Sequence, residues 1–201
     1  ACFYHLVPAG RGSALQVLEP EMSRHALDTI IDRVQAWHDE GIHREILTVT
    51  QPADGPYLLL RMEREGNPNL EEARRLLGWN GGGANSSGRG ISNIDPLGNV
   101  HPDQFWQDVT LGNVKTTPFS QIWEAQAEGG ERLREIRSLG TLGVDERRAK
   151  MHGRCGECRH FSLCGGGFRT RAAYVTGDFW GSDPACYLTD EEIAVRELAE
   201  V

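Results

Sequence analysis

The sequence predicts an α/β chain in two parts: strands and helices of an incomplete (β/α) barrel over residues 1–80, then a small α+β unit built on a metal centre over residues 81–201. Three observations predict it. Strand-like and helix-like runs alternate with short links in the first 77 residues. Composition shifts abruptly at Gly81-Gly82-Gly83-Ala84-Asn85-Ser86-Ser87-Gly88. Four of the five cysteines then stand as Cys155-x2-Cys158-x5-Cys164-x21-Cys186.

In the first part, Phe3 to Val7 reads as a short buried strand, followed by the turn Pro8-Ala9-Gly10-Arg11-Gly12. Ser23 is the expected N-cap of a helix that carries Leu27, Ile30, Ile31, Val34 and Trp37 at helical spacing and ends at Gly41. Ile46 to Thr50 reads as a second strand. A second helix starts at Asn69, with Glu72 completing a capping box; its apolar face is Leu70, Ala73, Leu76 and Leu77, and Gly78 closes it. This is the rhythm of a parallel sheet, with too few units to close a barrel. Cys2 reads as a small buried hydrophobe. The chain opens inside a strand-like run with no initiator Met, so it is expected to be the C-terminal piece of a longer protein.

In the second part, Ile91 to Ile94 and Asn99 to His101 flank the turn Asp95-Pro96-Leu97-Gly98, a hairpin signal. Thr117-Pro118 opens a helix carrying Phe119, Ile122 and Trp123. A charged helix runs from Glu131 to Leu139, and Thr189 with Glu192 caps a final helix. Trp106, Trp123 and Trp180 read as core.

A formal charge of −8 disfavours nucleic acid and anionic membrane as partners. No apolar run approaches the roughly 20 residues of a membrane span. The clustered cysteines do not form a secreted disulfide pattern, so a reducing cytoplasm is the expected compartment. Four thiolates suit a tetrahedral zinc or a cubane iron–sulfur cluster. Gly165-Gly166-Gly167 directly after Cys164 favours the cluster, because bare backbone N–H groups can approach inorganic sulfide; an ordinary turn is the alternative.

The cysteine pattern, its following glycines and the distal Cys after Asp183-Pro184 resemble the SPASM domain of radical S-adenosylmethionine (SAM) enzymes. So do Ile91 to Val100, Leu111-Gly112-Asn113-Val114 and Pro118-Phe119-Ser120-Gln121-Ile122-Trp123. The departures from that pattern form a set. Asp103 stands where the family has a Cys, Phe168 stands at another such position, and none occurs near Ser86 and Ser87. The resemblance assigns those positions to a first auxiliary cluster and the four retained cysteines to a second. It therefore implies one auxiliary 4Fe-4S cluster, on Cys155, Cys158, Cys164 and Cys186.

Nearly the whole chain is similar to the NirJ-like radical SAM family of haem d1 biosynthesis and its alternative-haem relatives. The residues that carry this are Phe3 to Gly12, Asn85-Ser86-Ser87-Gly88 and His101-Pro102-Asp103-Gln104-Phe105-Trp106. The resemblance implies the C-terminal part of a radical SAM barrel, a tetrapyrrole substrate whose carboxylate arms are trimmed, and an electron donor such as ferredoxin or flavodoxin. Radical SAM chemistry needs a Cys-x3-Cys-x2-Cys motif that this chain lacks. SAM and its 4Fe-4S cluster are thus expected on a preceding segment, and this piece alone is expected to be inactive.

Four residues are candidates for substrate contact. Arg11 follows a strand end, where barrels place substrates, and suits a carboxylate arm; a solvated loop arginine is the equal alternative. Arg89 is a second carboxylate candidate. His101 and Asp103, at the hairpin end, either face substrate or replace the lost cluster's staple with hydrogen bonds, and the structural role is preferred. His5 reads as a packed histidine rather than an acid. A peptide-modifying radical SAM maturase and a zinc-stabilised interaction module are the alternative functions.

Overall fold

The computed structural model describes residues 1–79 and 86–194. Most of the glycine-rich stretch at the expected boundary lies outside the described residues, as do residues 195–201, over which the final helix is expected to run to the C-terminus.

Strand β1 (Cys2–Tyr4) pairs in parallel with β2 (Leu47–Val49), Phe3 opposite Thr48. The crossover between them is α1 (Pro20–Asp39), preceded by a 3-10 turn at Gly10–Ala14. This is one β-α-β unit, the repeating element of parallel α/β folds. Both strands are shorter than expected, and β1 is exposed along its length. Cys2 is accordingly exposed rather than buried, because a two-stranded pair leaves the faces of β1 uncovered.

Helix α1 begins earlier than expected. Pro20 occupies its first turn, where a missing N–H costs nothing, and Glu19 is the cap. Ser23 is therefore inside the helix and buried, not its cap. Helix α2 (Asp54–Arg64) was not foreseen. Pro56 falls in its first turn, where N–H groups lack intrahelical partners anyway. Helix α3 (Leu70–Trp79) follows, with Gly78 inside it. The expected capping box is absent: Glu72 instead pairs with Arg75 at 2.6 Å.

The second part opens with a three-stranded antiparallel sheet, β3 (Asn93–Ile94), β4 (Asn99–His101) and β5 (Gly112–Asn113), in that order. The predicted hairpin is β3–β4, with Ile94 opposite Val100. Asp95 accepts from the backbone of Leu97 and Asn99 across the turn, and Gly98 supplies the positive φ of +89°. Short helices α4 (Phe119–Trp123) and α5 (Gly130–Ser138) cover the sheet, burying Val100, Leu111, Ile122 and Leu133 together. Helices α6 (Val144–Lys150), α7 (Arg154–Glu157), α8 (Phe161–Cys164) and α9 (Arg169–Thr176) lead through the cysteines. The Thr189–Glu192 capping box starts α10 (Asp190–Ile193) as expected.

The two parts share a core. Leu27, Ala53, Tyr57 and Leu60 from the first pack with Tyr187, Leu188 and Ile193 from the last segment. Arg24 holds Glu192 through two hydrogen bonds of 2.7 and 2.9 Å, and Tyr187 donates to Asp54 at 2.6 Å. Among the described residues, no helix is long and apolar enough to cross a membrane.

Candidate metal centre

Short helices deliver three of the four cysteines. Cys155 lies on α7, and Cys158 caps its end. Cys164 is the last residue of α8, and the chain then passes into Gly165, Gly166 and Gly167 with φ of +66°, +90° and +83°. Only glycine takes three such conformations in a row without strain. Space also demands it at Gly167, where a Cβ would lie 2.4 Å from the Cβ of Asp183. Cys186 arrives from a distant loop, its N–H donating to the Asp183 carbonyl at 3.1 Å.

All four thiols are free. Cys155 and Cys164 are buried, while Cys158 and Cys186 are partly buried against the shared core. Burial pushes up the thiols of Cys158, Cys164 and Cys186, the last to about 11. Each of these three is raised further by at least one of the other cysteine sulfurs. The backbone N–H of His160 points at the Cys158 sulfur at 3.4 Å, the kind of N–H···S contact that stabilises a thiolate. Among the described residues, no three His, Cys, Asp or Glu side chains are gathered so as to hold a metal ion.

The loop carrying Cys186 is fixed by Asp183. Its Oδ1 accepts from Arg171 Nε (2.7 Å) and the Ala185 N–H (3.1 Å); its Oδ2 accepts from Arg171 Nη2 (2.7 Å) and the Phe168 N–H (2.7 Å). Arg171 also donates to the carbonyls of Leu6 and Thr50, just past the ends of β1 and β2. One buried ion pair therefore ties the strand ends, the glycine loop and the distal cysteine together. Sequence reading missed this pair, because charged residues on a short helix and a loop look like surface.

Asp103 is buried and accepts from Ser87 Oγ and from the backbone of Phe105 (2.7 Å) and Trp106 (3.3 Å). Phe168 is buried and meets Phe105 edge-on, ring centroids 5.6 Å apart. His101 is buried, with Nδ1 2.8 Å from the Val109 carbonyl and Nε2 3.5 Å from Asp95. Arg11 is exposed in the 3-10 turn. Arg89 is exposed, and its guanidinium lies against Gly140, where a Cβ would collide with it. Among the described residues, no hydrogen bond or ion pair joins these four to one another. His5 follows β1, and its Nε2 lies 3.1 Å from Asp54, whose other oxygen accepts from Tyr187.

Residues 87–159 match SPASM, an iron–sulfur cluster-binding domain. Cys155 and Cys158 fall inside the match, and Cys164 and Cys186 lie beyond it. The particular relatives are proteins of haem synthesis. The chain is 42% identical over 199 residues to the Fe-coproporphyrin III synthase of Methanosarcina barkeri, covering 98% of this chain and 47% of that protein. It is 39% identical over 194 residues to the pre-heme d1 synthase of Dinoroseobacter shibae, covering 94% and 44%. An AdoMet-dependent heme synthase of M. barkeri is 25% identical over 190 residues, covering 92% and 48%. The chain thus spans about half the length of the curated relatives it matches, and it resembles a NirJ-like, SPASM-domain radical SAM protein. No solved structure matches it.

Proposed function

We propose that this chain is the C-terminal part of a radical SAM enzyme that removes or trims carboxylate side chains of a tetrapyrrole, and that it carries one auxiliary 4Fe-4S cluster. The observation that carries the reading is the set of four free, buried or partly buried thiols in a chain similar along its length to haem-synthesis proteins. Cys155, Cys158, Cys164 and Cys186 would hold the cluster. The donor chemistry fits: four sulfurs, one backbone N–H aimed at sulfur, and a glycine loop with no side chains beside them. Four thiolates on one zinc crowd to about 4 Å from one another. A cubane spreads them over four irons.

A count of one cluster is supported by what stands at the other set of family positions. Ser87 hydrogen-bonds Asp103, and Phe168 packs on Phe105. Polar and aromatic contacts occupy the ground that a second ligand set would need, and Asp103 and His101 act there as the staple. When bound, the auxiliary cluster supplies one-electron redox capacity. The residues of this chain shield it, fix its ligands through Asp183, and join it to the strand ends through Arg171. Arg11, just beyond β1 on the turn, is the residue for a substrate carboxylate. The SAM-binding cluster belongs to sequence outside these residues, so this segment alone is inactive, and residues 1–80 form the C-terminal strands and helices of the barrel.

The test is turnover by the complete protein. Incubated anaerobically with SAM, a reductant and a carboxylate-bearing iron tetrapyrrole, it should form 5′-deoxyadenosine and a product lighter by whole side-chain fragments. 5′-Deoxyadenosine formed only with a peptide substrate would reject the tetrapyrrole reading.

A further inference from the structure

Arg169 opens α9 and is 2% exposed. Its guanidinium donates to three carbonyls: Phe179 at 3.0 Å, Gly181 at 2.6 Å, and Gly166. It also touches the Met151 sulfur at 3.6 Å. Its Nε–H is buried with no partner. Among the described residues it forms no ion pair. Asp183 is committed to Arg171, and Asp178, a second acid whose charge acts on Arg169, holds His152 at 2.7 Å. A guanidinium that meets only neutral dipoles is the most unfavourable arrangement for a buried charge, and a fold keeps one only where an anion compensates it.

The anion has one place to be. The Gly166 carbonyl that accepts from Arg169 also accepts from the Cys155 thiol at 3.4 Å, so the guanidinium is a single carbonyl away from a proposed cluster ligand. Met151, which touches Arg169, packs with Cys155 and Phe161. An oxidised cubane on four thiolates carries a net charge of about −2, and one more negative charge when reduced. We infer that Arg169 is the buried counter-ion of the auxiliary cluster and raises its reduction potential by favouring the more negative, reduced form. The inference rests on the cluster reading above. Arg169 acts on the cluster through space, as a tuning residue, and exchanges no electron or proton itself.

The experiment is a mediated redox titration of the complete, anaerobically reconstituted protein, followed by electron paramagnetic resonance of the auxiliary cluster. Arg169→Met should shift the one-electron reduction equilibrium at least tenfold toward the oxidised form, about 59 mV lower in potential. Arg169→Lys, which keeps the charge, should move it by less than half as much. Met151→Glu places a carboxylate against the guanidinium without removing it, and should lower the potential relative to its neutral match Met151→Gln. This second pair decides the matter if Arg169→Met fails to retain iron. An unmoved potential in Arg169→Met, or equal potentials in Met151→Glu and Met151→Gln, would overturn the assignment. Loss of the cluster from Arg169→Lys as well as Arg169→Met would make the residue a scaffold for the glycine loop and overturn it too. Failure of the cluster reading looks different: the unmodified protein would then be colourless and hold zinc.

Discussion

Asp183→Asn removes one charge and changes almost no volume, yet it should be among the most damaging substitutions in the chain. The side chains of Arg171 and Asp183 are 1% and 0% exposed. Both oxygens of Asp183 accept two hydrogen bonds each, from Arg171 on one side and from the Ala185 and Phe168 N–H groups on the other. An amide in that place must turn its NH2 toward two donors. It also leaves the guanidinium of Arg171 buried beside carbonyls alone. Breaking a buried pair from one side costs about 3–5 kcal/mol. In a protein of this size that lowers the unfolding midpoint on the order of 10 °C. Thermal unfolding followed by circular dichroism measures it. The double variant Arg171→Met, Asp183→Leu should recover most of the loss, because it removes both buried charges and keeps the volume. An Asp183→Asn midpoint within about 2 °C of wild type would refute the claim that this pair anchors the Cys186 loop.

Two further outcomes follow from other contacts. Ser87→Ala removes the hydroxyl donor to buried Asp103 and should cost about 2 kcal/mol in denaturant unfolding while leaving the iron content unchanged; a fall in iron would mean that Ser87 belongs to a metal site. Glu192, held by Arg24, has its carboxyl lowered from 4.5 to about 2. A depressed carboxylate stabilises the fold above its ordinary value and loses that contribution as pH falls, so wild-type stability should decline between about pH 5 and 2. Glu192→Gln should be less stable at neutral pH and lose less over that window; equal acid slopes in the two proteins would contradict the ion pair's role.

The cysteine pattern stands out in the sequence because its spacing is local. Two short helices and a glycine run carry Cys155, Cys158 and Cys164 close together along the chain. The hairpin was legible for the same reason, since Asp95, Pro96 and Gly98 specify their own turn. Helix α2 was not, because Gly55 and Pro56 near its start are poor helix formers outside a first turn. The long-range polar anchors were hidden for a different reason. Arg169, Arg171 and Asp183 have no local pattern to distinguish them from solvated charges. Only the packed fold shows that Arg171 reaches the carbonyls of Leu6 and Thr50. Ser87 and Asp103 fell between: their positions were singled out by what the family carries there, and their hydrogen bond emerged from the structure.

The centre itself is tested most directly by metal and sulfide analysis of the anaerobically purified 201-residue chain and its Cys186→Ala variant. About four irons and four acid-labile sulfides per wild-type chain, lost in the variant, are the predicted result. A single tight zinc with no sulfide in the wild-type chain would contradict the account.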